Sequence, residues 1–176
     1  MIDRSRSPTS ADRAAPLYVD GRTTYIQAVC DDKLGPHMSI DAIKADFEFL
    51  DEWEDRYRYV IELGRELEHL QADEKTDGTR VRGCASQVWL VVDAPPGDAT
   101  DTLHFRGESD AHIVQGLIAI LRAIYNGQPF RAVLDTDALA IFTELGLSDH
   151  LTPQRSNGLK SMIQRIRAEA QARVDG

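Results

Sequence analysis

Apolar positions along the chain from Ser39 onward predict helices before and after a small sheet in the sequence. Ser39 is a favourable N-cap, and Gly64 indicates a helix break or C-terminal cap. Between them, residues at helical spacing form one apolar stripe and predict an amphipathic helix. The members of this stripe are Phe47, Leu50, Trp53, Tyr57, Val60 and Ile61.

Two strands are predicted in the middle of the chain, after the polar connection ADEKTDG. Val88 to Val92 is a β-branched and aromatic run, typical of a strand buried on both faces. APPGDAT has turn chemistry, and DTLHFRGES is a second strand with apolar residues at alternating positions.

Further helices follow the strands. Ser109-Asp110 caps a long helix that is apolar nearly all round and is therefore expected to be central. Asp135 to Leu145 is a shorter helix closed by Gly146, and Thr152 as N-cap with Pro153 at N1 opens the last helix. A small antiparallel sheet packed against several helices defines the α+β class.

Composition changes toward the N-terminus. Residues 1–37 include the polar, Pro/Ser-rich stretch DRSRSPTSADRAAP, which is typical of disorder. We therefore expect a disordered or non-native extension over residues 1–37 and one compact domain over residues 38–176. Met38 is a candidate alternative translation start.

Charge and composition exclude several functional classes. No run approaches the roughly 20 apolar residues of a membrane span, and the N-terminus lacks the apolar stretch of a secretory signal, so a cytoplasmic location is expected. The net charge of −9 argues against nucleic acid and anionic membranes as partners. With two cysteines, and five histidines without an i, i+4 pair, no metal site is expected.

The charge is unevenly distributed along the chain. Residues 41–77 contain 13 acids and 5 bases, whereas residues 154–173 contain 5 bases and 1 acid. Such a dipole can steer a protein partner. The alternative interpretation is that these are solvated helix faces of unequal composition.

Cys84 is the candidate reactive group, on a predicted loop between Gly83 and a strand. Arg80 and Arg82 would share a face with the thiol only if the backbone stayed extended through Gly83. In that case they would lower its pKa modestly, which suits sulfur exchange. The alternative is a small buried hydrophobic residue, as most free cysteines are.

Arg155 is a second candidate. It falls at N3 of the last helix, where the helix dipole disfavours a cation by a few tenths of a kcal/mol. One interpretation is a site for a carboxylate or thiolate presented by a partner. The other is an ordinary surface arginine.

Four blocks of the sequence, in order, resemble the SufE family of sulfur-acceptor proteins, which includes CsdE. They are DFEFLDEWEDRYRYVIELGREL, RVRGCASQVWLV, GESDAHIVQGLIAIL and LTPQRSNGLKSMIQRIRA. The resemblance covers about residues 40–168. It implies an α+β fold similar to the IscU scaffold. It also implies docking on a PLP-dependent cysteine desulfurase of the SufS or CsdA type, which this protein would stimulate.

By the same resemblance, Cys84 accepts the persulfide sulfur, which then passes to an iron–sulfur scaffold or another acceptor. Asp110 and Arg155 match positions tied to the acceptor loop and the partner interface, and Gly83 supports the loop. The acceptor itself is expected to bind no cofactor. Ala85 departs from the glutamine of many relatives, which removes a potential hydrogen-bonding side chain beside the thiol.

Two alternatives remain beside the sulfur carrier. One is a binding module that activates the desulfurase allosterically without carrying sulfur. The other is a cysteine-dependent enzyme, such as a thiol peroxidase or hydrolase, for which no base is evident. Cys30 is either a resolving thiol or an unrelated residue.

Overall fold

The computed structural model describes residues 39–93 and 101–175 of the 176-residue chain. The predicted extension over residues 1–37, Cys30 and the predicted turn APPGDAT lie outside these described ranges. None of the described helices is both long and apolar enough to cross a membrane.

The described residues form six α-helices and a two-stranded sheet. The sheet pairs β1 (Val88–Asp93) with β2 (His104–Ser109) in antiparallel register, with Val88 opposite Ser109. Short 3-10 turns occur at Ala72–Glu74 and Ser148–His150. The helices are α1 (Ile40–Glu48), α2 (Trp53–Arg65), α3 (His112–Tyr125), α4 (Phe130–Asp135), α5 (Ala138–Glu144) and α6 (Pro153–Asp175). The α+β prediction is thus confirmed.

Helix α3 is the centre of the core, as its apolar sequence predicts. All residues from Ile113 to Leu121 are buried. Helix α2 approaches α3 so closely that a Cβ on Gly116 would lie 2.1 Å from the carbonyl oxygen of Val60. A Cβ on Gly64 would lie 2.6 Å from the backbone nitrogen of Gly116. These two glycines therefore permit the contact between the two central helices.

The helix break predicted near Gly64 is confirmed to within one residue, but the C-cap is Glu66 and not Gly64. Helix α2 continues to Arg65, and the glycine serves close packing instead. The single apolar stripe is divided between two helices. Helix α1 ends at Glu48 and α2 begins at Trp53, while the Nε of Arg56 donates to the carbonyl of Leu50 across the turn at 2.6 Å.

Capping was predicted correctly at some helix ends and wrongly at others. The side chain of Ser39 accepts a hydrogen bond from the Ala42 nitrogen, and Gly146 follows α5 with φ of +70°. The helix predicted over residues 135–145 is shorter in the structure. The Asp137 side chain accepts a hydrogen bond from the Ala140 nitrogen and so marks the start of α5. Ser109-Asp110 does not cap α3, which starts at His112 after Ala111.

The sheet is buried mainly on one face, so the prediction of two buried faces for β1 is wrong. Val88 and Leu90 point into the core, whereas Trp89 on the opposite face is only half-buried. That opposite face is partly covered by the segment before β1, where the Nζ of Lys75 lies 5.8 Å from the centre of the Trp89 ring.

Candidate functional site

Cys84 lies in a short loop, residues 82–87, whose two ends are joined by backbone pairing. The Val81 nitrogen donates to the Val88 carbonyl at 2.8 Å, and the Leu90 nitrogen donates to the Thr79 carbonyl at 2.8 Å. Gly83 turns the backbone within the loop at φ of +91°, a conformation that side chains other than glycine rarely adopt. We refer to residues 82–87 as the acceptor loop, after the sulfur-acceptor role that the family resemblance predicts for Cys84.

The acceptor loop packs against the first turns of α6. The Cys84 thiol is half-buried and donates to the carbonyl oxygen of Gly158 at 3.6 Å. A Cβ on Gly158 would lie 3.3 Å from the Cys84 sulfur, so the absence of a side chain there leaves room for the thiol. On the neighbouring turn, a Cβ on Gly83 would lie 2.7 Å from the Ser161 hydroxyl oxygen. Because Gly83 and Gly158 have no side chains, the loop can lie close to the helix.

A cavity of about 350 Å³ opens beside the sulfur atom. Its apolar wall comes from α3, α6 and the residue before α3, and includes Val114, Leu159 and Met162. Its polar rim includes Arg155, which is half-buried. Arg155 is placed there by the start of α6, where its nitrogen donates to the Thr152 hydroxyl at 3.4 Å as the predicted N-cap requires. The structure therefore brings Cys84 and Arg155 to one cavity.

Burial controls the acidity of this thiol. Desolvation raises the pKa of Cys84 above its ordinary value, because the thiolate is less well solvated than in water. The condition under which Arg80 and Arg82 would lower this pKa, an extended backbone through Gly83, is not met. The left-handed backbone at Gly83 interrupts the extended path, and the two arginines line a different cleft.

We expect a corresponding pH profile for alkylation of Cys84 by iodoacetamide. Since the thiolate is the nucleophile and its pKa is raised, the rate should rise about tenfold per pH unit from neutral pH. It should continue to rise beyond the pH at which the urea-unfolded chain levels off. The measurement uses Cys30→Ser protein, so that a single thiol reports. A plateau at lower pH than in the unfolded chain would show a stabilised thiolate instead.

Asp110 anchors the other end of the acceptor loop. Its Oδ1 accepts from the Gln87 nitrogen at 2.9 Å, and its own backbone nitrogen donates to the Gln87 carbonyl at 3.3 Å. This two-way contact explains why Asp110 is not used as a helix cap: its carboxylate is turned toward the loop.

We expect Asp110→Ala to loosen the acceptor loop. Loss of one hydrogen bond to a carboxylate, partly exposed to solvent, should increase the alkylation rate of Cys84 by about 3- to 10-fold at fixed pH. Asp110→Asn keeps an acceptor oxygen and should change this rate by less than about twofold. Equal rates in wild type and Asp110→Ala would show that this contact does not restrain the loop.

Ion pairs secure the segment that leads into the loop. Glu108 on β2 accepts from the Leu70 nitrogen at 2.8 Å and from Lys75 at 2.6 Å. Burial has the largest single effect on the pKa of Glu108 and raises it, but these two hydrogen bonds and the nearby positive charge together lower the pKa below its ordinary value. Arg106, also on β2, binds Glu74 and Asp93. The base of the acceptor loop is thus held to the sheet.

Sequence reasoning missed the α6 residues that contact the loop, Gly158 and Ser161. A glycine within the first turns of a predicted helix is a detectable signal, since it often marks close packing. Nothing local to the sequence indicates that its neighbour is Cys84, 74 positions away.

The geometry defines an α+β protein with one half-buried cysteine on an anchored loop beside a cavity. The chain belongs to the SufE family: the model of the family described as "SufE: Fe-S metabolism associated domain" matches residues 41–170. An uncharacterised SufE-like protein of Rhizobium meliloti is 56% identical over 137 residues, covering 77% of this chain and 97% of that protein. One of Rhizobium etli is 52% identical over 136 residues, covering 77% and 92%.

A solved structure shares the fold. The solution structure of a hypothetical protein from Thermus thermophilus superposes with a TM-score of 0.61 at 19% identity. It covers 78% of this chain and 96% of the other. The predicted family and fold class are confirmed, and a role in iron–sulfur metabolism follows from the family.

Proposed function

We propose that this protein accepts persulfide sulfur from a PLP-dependent cysteine desulfurase on Cys84 and passes it on for iron–sulfur cluster assembly. The observation that carries the proposal is the placement of Cys84. Its thiol lies on a loop anchored at both ends, against a helix, with a cavity of about 350 Å³ beside the sulfur.

The transfer step needs a nucleophile and no resident cofactor. The Cys84 thiolate attacks the terminal sulfur of the donor's persulfide, a new S–S bond forms on Cys84, and the donor's S–S bond breaks. The donor cysteine leaves as a thiolate, so sulfur moves without net oxidation or reduction. PLP belongs to the desulfurase, where it supports cleavage of the C–S bond of cysteine.

The raised pKa of Cys84 fits a thiol that reacts only with its partner. In the loop conformation seen here, burial keeps the thiol protonated, which protects it from oxidants and alkylating agents. Movement of the loop away from Gly158 would return water to the sulfur and lower its pKa toward the ordinary value. Docking would then couple access to reactivity.

Arg155 suits the recognition of an anion that approaches Cys84. It is half-buried at the rim of the same cavity. Because it is half-buried, less solvent is available to screen its charge. The incoming persulfide is anionic near neutral pH. Arg155 therefore offers charge complementarity at the place where the donor must arrive.

The test is the rate of alanine formation by a SufS-type desulfurase in L-cysteine, with a reductant that removes the sulfur from Cys84 after each transfer. If this protein accepts sulfur and activates the enzyme, added protein should raise the rate in a saturable manner. A rate that is independent of added protein, at concentrations where docking is measured directly, would contradict the proposal. A binding module without sulfur transfer would also raise the rate, but without the need for Cys84.

A further inference from the structure

A second cleft lies beside the acceptor loop. It has a volume of about 310 Å³ and is formed by the segment leading into the loop and by α6. Its lining includes three arginines and one acid, namely Arg80, Arg82, Arg165 and Asp77. We call it the arginine cleft. It is distinct from the cavity beside the thiol, which none of these residues line.

The arginine cleft is a concentration of positive charge in an acidic protein of net charge −9. Arg165 pairs with Glu169 at 2.9 Å. Within residues 39–93 and 101–175, neither Arg80 nor Arg82 forms an ion pair, and both are exposed. Two arginines that line one cleft and form no ion pair within the described residues favour an anionic ligand.

The cleft is lined in part by the acceptor loop itself. Arg82 stands two positions before Cys84, and Ser161, which lines the cleft, is the residue against which Gly83 packs. On α6, Gly158 faces the thiol, while Ser161 and Arg165 lie one and two turns further along. A group bound in the arginine cleft would therefore lie beside the route to Cys84.

We propose that the arginine cleft binds an acidic segment, rich in Asp and Glu, of the protein that delivers sulfur to Cys84. This inference rests on the proposed function. The donor must bring its persulfide to the acceptor loop, and the cleft is lined by Arg82 of that loop and by Ser161, which Gly83 approaches. A donor that docks on the loop can therefore reach the cleft. Carboxylates suit paired guanidinium groups through bidentate hydrogen bonds. Because the whole protein is acidic, recognition acts at short range and is sensitive to salt.

The experiment measures the Kd of a SufS-type desulfurase for wild type and for two double variants at low and high NaCl. Arg80→Gln with Arg82→Gln should weaken binding by about 5- to 30-fold at low salt, with a smaller ratio at high salt. Arg131→Gln with Arg173→Gln removes the same charge at two exposed positions outside the cleft. This control should change Kd by less than about twofold.

Equal Kd values for the two double variants would overturn the proposal. If the cleft variant instead loses self-association or binding of inorganic phosphate, with its desulfurase Kd unchanged, the cleft serves another ligand and the proposal also fails. Persulfide formation on wild-type Cys84 at saturating desulfurase separates the two hypotheses. Its absence would contradict the proposed function, whereas its presence with equal Kd values would contradict the arginine cleft alone.

Discussion

Cys84→Ser should abolish the stimulation of a SufS-type desulfurase by this protein, with a loss of at least about 100-fold in stimulated turnover. A serine hydroxyl is a far weaker nucleophile than a thiolate at neutral pH and cannot form a persulfide. The substitution is nearly isosteric, and it leaves the hydrogen bonds between Asp110 and Gln87 that anchor the loop unchanged. The acceptor loop should therefore keep its position and the variant should still dock.

The matched control is Cys30→Ser, which removes the other cysteine of the chain. It should leave both docking and stimulation within about twofold of wild type, because the proposed transfer uses Cys84 alone. Stimulation retained by Cys84→Ser would favour a binding module that activates the enzyme without carrying sulfur. Stimulation lost in both variants would assign Cys30 a role as a resolving thiol.

Gly116→Ala should be among the most destabilising single substitutions in the domain. The added Cβ would lie 2.1 Å from the Val60 carbonyl oxygen, a backbone atom that can move only with the whole of α2. We expect the free energy of unfolding to fall by about 3 kcal/mol. The gain of about 1 kcal/mol in helix propensity from glycine to alanine would offset only part of the steric cost.

Thermal unfolding followed by circular dichroism checks this expectation, with Tm lowered by roughly 10 °C. Gly78→Ala is the matched control, since its Cβ would make an ordinary contact of 3.6 Å with the Thr76 hydroxyl. The control should change the unfolding free energy by less than about 0.5 kcal/mol. A Tm for Gly116→Ala equal to that of wild type would mean that the two helices separate at little cost.

Elements governed by local signals were predicted well from the sequence. The central helix was expected from a run that is apolar on nearly all sides, and it is buried in the structure. Thr152 and Pro153 fixed the start of the last helix, and Gly146 fixed the end of the one before. In each case a capping residue or a periodic pattern within one segment decides the outcome.

Elements governed by contacts between distant segments were not predictable in this way. The break between α1 and α2 leaves the apolar spacing intact, because both helices pack on the same core. Gly64 has the composition of a helix end but serves the contact with Gly116, 52 positions away. The packing role of such a glycine depends on which residue lies next to it in the fold, and the local sequence does not specify that residue.

In the candidate site, too, the position of Cys84 was predictable from local sequence and its environment was not. That Cys84 lies on a loop before a strand followed from Gly83 and the β-branched run after it. The environment of the thiol did not follow, because its hydrogen-bond acceptor comes from α6 and the direction of its pKa shift comes from burial. The separation of Arg80 and Arg82 from the sulfur depends on one backbone angle at Gly83.

The most direct test of the central claim is peptide mass spectrometry after this protein is mixed with a SufS-type desulfurase and L-cysteine, without reductant. Sulfur transfer predicts one additional sulfur atom on the peptide that contains Cys84, removed by a reducing agent, and none on the peptide that contains Cys30. An unmodified Cys84 beside a persulfidated desulfurase, at concentrations where the two proteins bind, would contradict the claim.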